Sequence, residues 1–209
     1  MNCKNPAGLV SAAILVLSFT SAYAENIDPD EDDSQYAYGE NVGWINFEPN
    51  VAGPNGGATV SSDKLTGFIW AENIGWINLS PSTYGGVIND GTGWLSGYAW
   101  GENVGWINFS PSYGGVTIDL DGNFSGWAWC ENIGWINFNS ANPCDYNVKA
   151  CKVNFEDLAS FVDDWLVSDT GLPGDFSGND EVDFVDYSIF ASYWLDYCPD
   201  DWHLKTIVP

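Results

Sequence analysis

Gly97–Phe109 reads GYAWGENVGWINF. Tyr98 and Trp100 fall on one face of an extended chain, because side chains alternate along a strand. Glu102-Asn103 then supplies a tight turn. Asn tolerates a left-handed conformation, and Gly105 adopts one without steric penalty. Gly105 to Phe109 returns as a second strand. The stretch therefore predicts an antiparallel hairpin rich in aromatic residues.

The same pattern occurs four times: GENVGWINF (39–47), AENIGWINL (71–79), GENVGWINF (101–109) and CENIGWINF (130–138). Upstream of each lies QYAY, GFIW, GYAW or GWAW. Upstream again, in the last three units only, lies a β-branched stretch: GATVSS, GGVIND or GGVTIDL. In the last unit Gly115 to Asp119 reads as a strand, Asp121-Gly122 as a hairpin turn, and Phe124 to Trp129 as the next strand. Nothing in 34–140 carries a sustained helical period. The fold class is thus a mainly β repeat region of antiparallel three-stranded units, the first lacking its leading strand. One unit cannot bury its own aromatics, so the units must stack or close around a common core. A solenoid, an open meander and a propeller-like ring all satisfy this. The pattern resembles repeats of uncharacterised bacterial extracellular proteins, a resemblance that implies no activity.

Both ends of the chain carry different signals. Lys4, the apolar run Leu9 to Phe19 and the small-x-small site Ala22-Tyr23-Ala24 read as a signal peptide over 1–24, so the protein is expected to be secreted or held at the cell surface. No later run is long enough to span a membrane. The formal net charge is −24, and loss of Lys4 makes it one unit more negative. Such a chain repels nucleic acid and anionic membranes. Acidic chains with few aromatics are commonly disordered, but 16% aromatic residues argue for packed structure. Residues 25–33 read as an acidic linker. Cys130, Cys144, Cys151 and Cys198 follow the signal, and four cysteines in an exported chain suggest two disulfides with three possible pairings. Cys130 stands where other units carry Gly or Ala, so it is expected to join a C-terminal cysteine, with Cys144 the first choice.

After residue 140 a second duplication appears. VNFEDLASFVDDWL (153–166) and VDFVDYSIFASYWL (182–195) are the same unit, and each reads as a helix. Ahead of the second, Asp175, Ser177, Asn179, Asp183 and Asp186 place side-chain oxygens at positions 1, 3, 5, 9 and 12 of a loop, with the Glu181 carbonyl at position 7. That is the spacing with which an EF-hand loop collects Ca2+. Asp180 stands at position 6 in place of Gly, and Asp186 at position 12 in place of Glu. In the first copy Tyr146, Val148 and Ala150 occupy positions 1, 3 and 5 and offer no carboxylate, so that half is expected to bind no calcium. Residues 144–197 resemble a type I dockerin. The resemblance implies an EF-hand-like module over 141–198, before a tail at 199–209, and a cohesin-like domain or extracellular scaffold as partner. Phe184-Val185 and Phe155-Glu156, at positions 10 and 11, depart from the small polar residues that such recognition uses.

No catalytic motif is visible. His203 stands alone near the C-terminus, and Glu40, Glu72, Glu102 and Glu131 occupy equivalent turns, so the chain is not expected to be an enzyme. Most strand aromatics, including Trp76 and Trp106, are read as core, since each buries a large apolar area. The leading function is a secreted structural or binding protein with a calcium-binding attachment module. The alternative is a carbohydrate-binding component of a polysaccharide-degrading complex, with Trp76 and Trp106 on a glycan platform.

Overall fold

The computed structural model describes residues 26–49, 56–141, 144–199, 202 and 204. The stretch read as a signal peptide (1–24) and His203 lie outside them. In chain order the strands are β1 (Tyr36–Gly39), β2 (Gly43–Asn46), β3 (Gly57–Val60), β4 (Lys64–Ala71), β5 (Gly75–Asn78), β6 (Val87–Asn89), β7 (Trp94–Gly101), β8 (Gly105–Asn108), β9 (Gly115–Ile118), β10 (Phe124–Cys130), β11 (Gly134–Asn137), β12 (Asn139–Ser140) and β13 (Tyr146–Asn147). Two helices follow, α1 (Phe155–Asp163) and α2 (Phe184–Ser192).

The repeats close into an eight-stranded antiparallel barrel, and are neither solenoid, open meander nor propeller. Each unit contributes one hairpin: β1–β2, β4–β5, β7–β8 and β10–β11. Adjacent hairpins pair β2–β4, β5–β7 and β8–β10, and β11 returns to β1. Closure removes the exposed edges that an open sheet would present.

β3, β6 and β9 form a second tier, each packed beside the first half of a long strand. Their leading residues donate identical bonds: Ala58 N–H to Phe47 O, Val87 to Leu79 O and Val116 to Phe109 O. The fourth such bond runs from Val148 N–H to Phe138 O. Val148 also bridges Gln35, and Ala150 bridges Ile27. The first unit's missing leading strand is therefore supplied from beyond the last repeat, by residues that the sequence assigns to the C-terminal module. The stretch read as an acidic linker also joins this end. Ile27 and Asp28 are buried, and the Asp28 carboxylate accepts Asp32 N–H, Asp33 N–H and the Ser34 hydroxyl. Desolvation raises the Asp28 pKa against those bonds.

Between the hairpins the core is aliphatic. Ala37 faces Ile45 across the first hairpin, Ile69 faces Ile77, Ala99 faces Ile107 and Ala128 faces Ile136. All eight are buried. Val42, Ile74, Val104 and Ile133 close the turn end, and Phe47, Leu79, Phe109 and Phe138 fill the next layer. A barrel of eight strands has an interior just wide enough for side chains. The void among these residues measures about 10 Å³, so the inside holds no ligand.

Trp44, Trp76, Trp106 and Trp135 accordingly lie on the outer face, half-buried. This overturns the expectation that the strand aromatics are core. Of Tyr36, Tyr38, Phe68, Trp70, Tyr98, Trp100, Trp127 and Trp129, only Tyr36 is buried. Cys130 also departs from expectation. It faces the barrel interior as a free, buried thiol. Its Sγ lies 3.4 Å from the Val104 carbonyl, and no disulfide ties it to the C-terminal residues. Among the described residues, Cys151 is joined to Cys198 in a disulfide.

The helical region has its own core. Phe161, Phe190 and Trp202 are buried together with Val153 and Val182. Trp202, within the segment read as a tail, stacks on Phe176 at 4.8 Å and donates its indole N–H to Asp157 Oδ1 at 2.7 Å. Asn154 and Asp183 cap the two helices, each in a capping box with Asp157 or Asp186.

Candidate functional site

The four hairpins place four aromatic pairs around the outside of the barrel. Tyr38–Trp44, Trp70–Trp76, Trp100–Trp106 and Trp129–Trp135 sit directly across from one another in register. Their ring centroids are 5.0, 4.8, 4.7 and 4.8 Å apart, all edge to face. This geometry suits the ring quadrupoles and leaves indole surface facing outward.

The turn residues lock neighbouring hairpins together. The side-chain amide of Asn41 donates to Ile133 O at 2.9 Å, Asn73 to Val42 O at 2.8 Å, Asn103 to Ile74 O at 3.0 Å and Asn132 to Val104 O at 2.9 Å. These bonds form a closed ring around the turn end. Gly105 follows its turn at φ +83°, a region that L side chains rarely adopt. Gly97 lies where a Cβ would stand 2.2 Å from the Gly86 carbonyl oxygen, so no other residue fits between the tiers there. The Asn side chains are thus structural, whereas Glu40, Glu72, Glu102 and Glu131 stay exposed beside the aromatic pairs.

Between the third and fourth hairpins the outer face deepens into a groove of about 620 Å³, open to solvent. Trp106 and Trp100 form one wall and Trp129 the other, with Glu131 and Asn132 at the turn end. Tyr84, from the preceding loop, stands over it, 5.0 Å from Trp106 and 5.8 Å from Tyr98. Of the two tryptophans named from sequence, Trp106 lines the groove. Trp76 lies on the same outer girdle against Trp70, outside this groove. Sequence reading missed Tyr84, Trp100, Trp129 and Glu131 as site residues. The available signal was Ala99 and Ala128, small residues that alternate with the aromatics and mark the crowded side of the wall.

The proposed calcium loop is wound about its first and last carboxylates. Asp175 accepts the N–H groups of Gly178, Asn179 and Asp180 and the Ser177 hydroxyl. Partial desolvation pushes its carboxyl up, but these donors hold it below the usual range. Asp186, fully buried, accepts Ser177 N–H and Asp183 N–H. Ser177 therefore bridges positions 1 and 12. Asp180 takes φ +64°, the left-handed turn required at position 6. Asn179 Oδ1 accepts Glu181 N–H, and Asp183 Oδ1 caps α2 through Val185 N–H. The set is hard oxygen, suited to a divalent ion such as Ca2+. Among the described residues, no three His, Cys, Asp or Glu side chains converge as a metal group. In the first copy, Val148 and Ala150 are buried wall residues of the barrel, which accounts for the loss of carboxylates there. Val182 pairs with Leu166 and Val167 after α1, and Val153 pairs with Leu195 and Asp196 after α2. The two position-8 residues thus join the far ends of opposite helices, not each other.

Comparison with protein-family models, with curated proteins and with solved structures gives no match. No helix among the described residues is long and apolar enough to cross a membrane.

Proposed function

We infer that this chain is a secreted glycan-binding protein that acts without catalysis. The supporting observation is the groove of Trp100, Trp106 and Trp129 on the outer wall. A small barrel whose interior is already filled by Ala, Ile, Leu and Phe side chains does not need these indoles inside it. Contiguous exposed apolar surface rimmed by polar groups marks a binding site, and flat aromatic faces beside amide and carboxylate groups suit a sugar ring. This favours the carbohydrate-binding reading over a purely structural one. The C-terminal region is read as a dockerin-like attachment module that takes one Ca2+ through Asp175, Ser177, Asn179, the Glu181 carbonyl, Asp183 and Asp186. A cohesin-like domain or extracellular scaffold is its partner class.

A glycan array on residues 25–209 tests the first part. At least one polysaccharide class is expected to bind, and Trp106→Ala to abolish that binding. Retention of no glycan by the parent chain would contradict the reading. Calorimetric titration of the same chain with calcium is expected to show one site that Asp175→Asn removes. No site at all would end the dockerin-like assignment.

A further inference from the structure

We propose that the glycan taken by the outer groove carries protonated amines, as in a polymer of de-acetylated amino sugars. The proposal rests on the glycan-binding reading and narrows its ligand. The groove surrounds a ligand with the faces and edges of Trp100, Trp106, Trp129 and Tyr84, and its charged lining group is Glu131. An ammonium group over an aromatic ring is attracted by the ring quadrupole, and a carboxylate beside it adds a direct charge partner. Glu131 is exposed, and neither ion pair among the described residues involves it: those are Lys64–Asp63 and Lys149–Asp30. The neighbouring turn amide, Asn132, directs one N–H to Val104 O.

A second cleft has a related aromatic and acidic lining, although its Asp32 already accepts Ser34 N–H and feels the Lys149 charge. It measures about 330 Å³ and is lined by Tyr36, Trp44 and Tyr146 together with Asp32, Asp33 and Asp145. Trp44 and Tyr146 meet edge to face at 5.2 Å. Neither cleft has a Lys or Arg in its lining. A uronic or sulfated glycan in the groove would therefore meet only the Glu131 charge, in a chain whose net charge is −24. A neutral glycan would stack on the indoles but leave the Glu131 carboxylate unpaired.

The test compares three oligosaccharide probes of equal length on residues 25–209: β-1,4-glucosamine, its fully N-acetylated form and β-1,4-glucose. Titrations are followed by tryptophan fluorescence at mildly acid pH, where the sugar amine is protonated. The glucosamine probe is expected to bind at least about tenfold tighter than either neutral probe. The preference is expected to shrink at about 0.5 M salt. Glu131→Gln is expected to erase most of it with the melting temperature unchanged. Equal affinity for the three probes, or a preference indifferent to Glu131→Gln, would overturn the amine assignment and leave the glycan-binding reading standing. Binding of none of the probes, together with a blank glycan array, would remove both.

Discussion

The barrel wall and the core of the helical module place tryptophan in opposite ways. In the barrel wall Ile77 and Ile107 point inward and are buried, while Trp76 and Trp106 beside them stand half-exposed on the outer face. In the module Trp202 is 1% exposed and stacks within a cluster of Phe161, Phe176 and Phe190. The difference follows from geometry. Eight strands enclose a narrow cylinder that Ala, Ile and a layer of Phe side chains already fill, so the indoles lie outside. In the module the rings of Phe161, Phe176, Phe190 and Trp202 stack on one another and make up the core themselves. Aromatic content therefore does not by itself locate a core.

Single substitutions break this comparison in a graded order. Trp202→Ala is expected to cost about 3–5 kcal/mol, as for other buried aromatics, and it also removes one of the bonds to the buried Asp157 carboxylate. Chemical denaturation measures this directly. Ile77→Ala, inside the barrel, is expected to cost about 2–5 kcal/mol. If either is silent, its assignment to a core fails.

The joint between the two regions gives a pH signature. Burial pushes the Tyr197 phenol up to about 12, against a hydrogen bond from Asn89 and with help from the Asp196 charge. The unfolded phenol ionises near its ordinary 10.0. The neutral folded form therefore contributes fully below that pH, and its contribution is lost as pH rises toward 12. The loss is about 2 kcal/mol across this window. Denaturation midpoints of Tyr197→Phe are expected to lack that part of the alkaline decline. An unchanged decline would place the cause elsewhere. Asn103→Ala removes one bond of the turn ring and is expected to cost about 1 kcal/mol. Thermal unfolding checks this, and a cost as large as that of Ile77→Ala would make the ring, not the aliphatic core, the main tie.

The hairpins were legible because turn and alternation signals agree within a few residues: Phe124 to Trp129, Glu131-Asn132 and Gly134 to Phe138 match β10, its turn and β11 closely. The left-handed Asp180 was legible for the same local reason. Two features were not. Alternation in Trp106-Ile107-Asn108 defines two faces but does not say which is inside; that depends on the radius of the closed barrel. The closing strand Val148–Ala150 was also hidden, because its pairing partners Gln35 and Ile27 lie more than a hundred residues away and its sequence shares no motif with β3, β6 or β9. The groove was missed with the faces, and Tyr84 with the loop that carries it.

The most direct measurement pairs binding and stability on one sample of Trp106→Ala. The outward placement of Trp106 predicts loss of polysaccharide binding with the melting temperature lowered by no more than about 3 °C. A melting temperature that falls as far as it does for Ile77→Ala, with glycan binding unchanged, would contradict it.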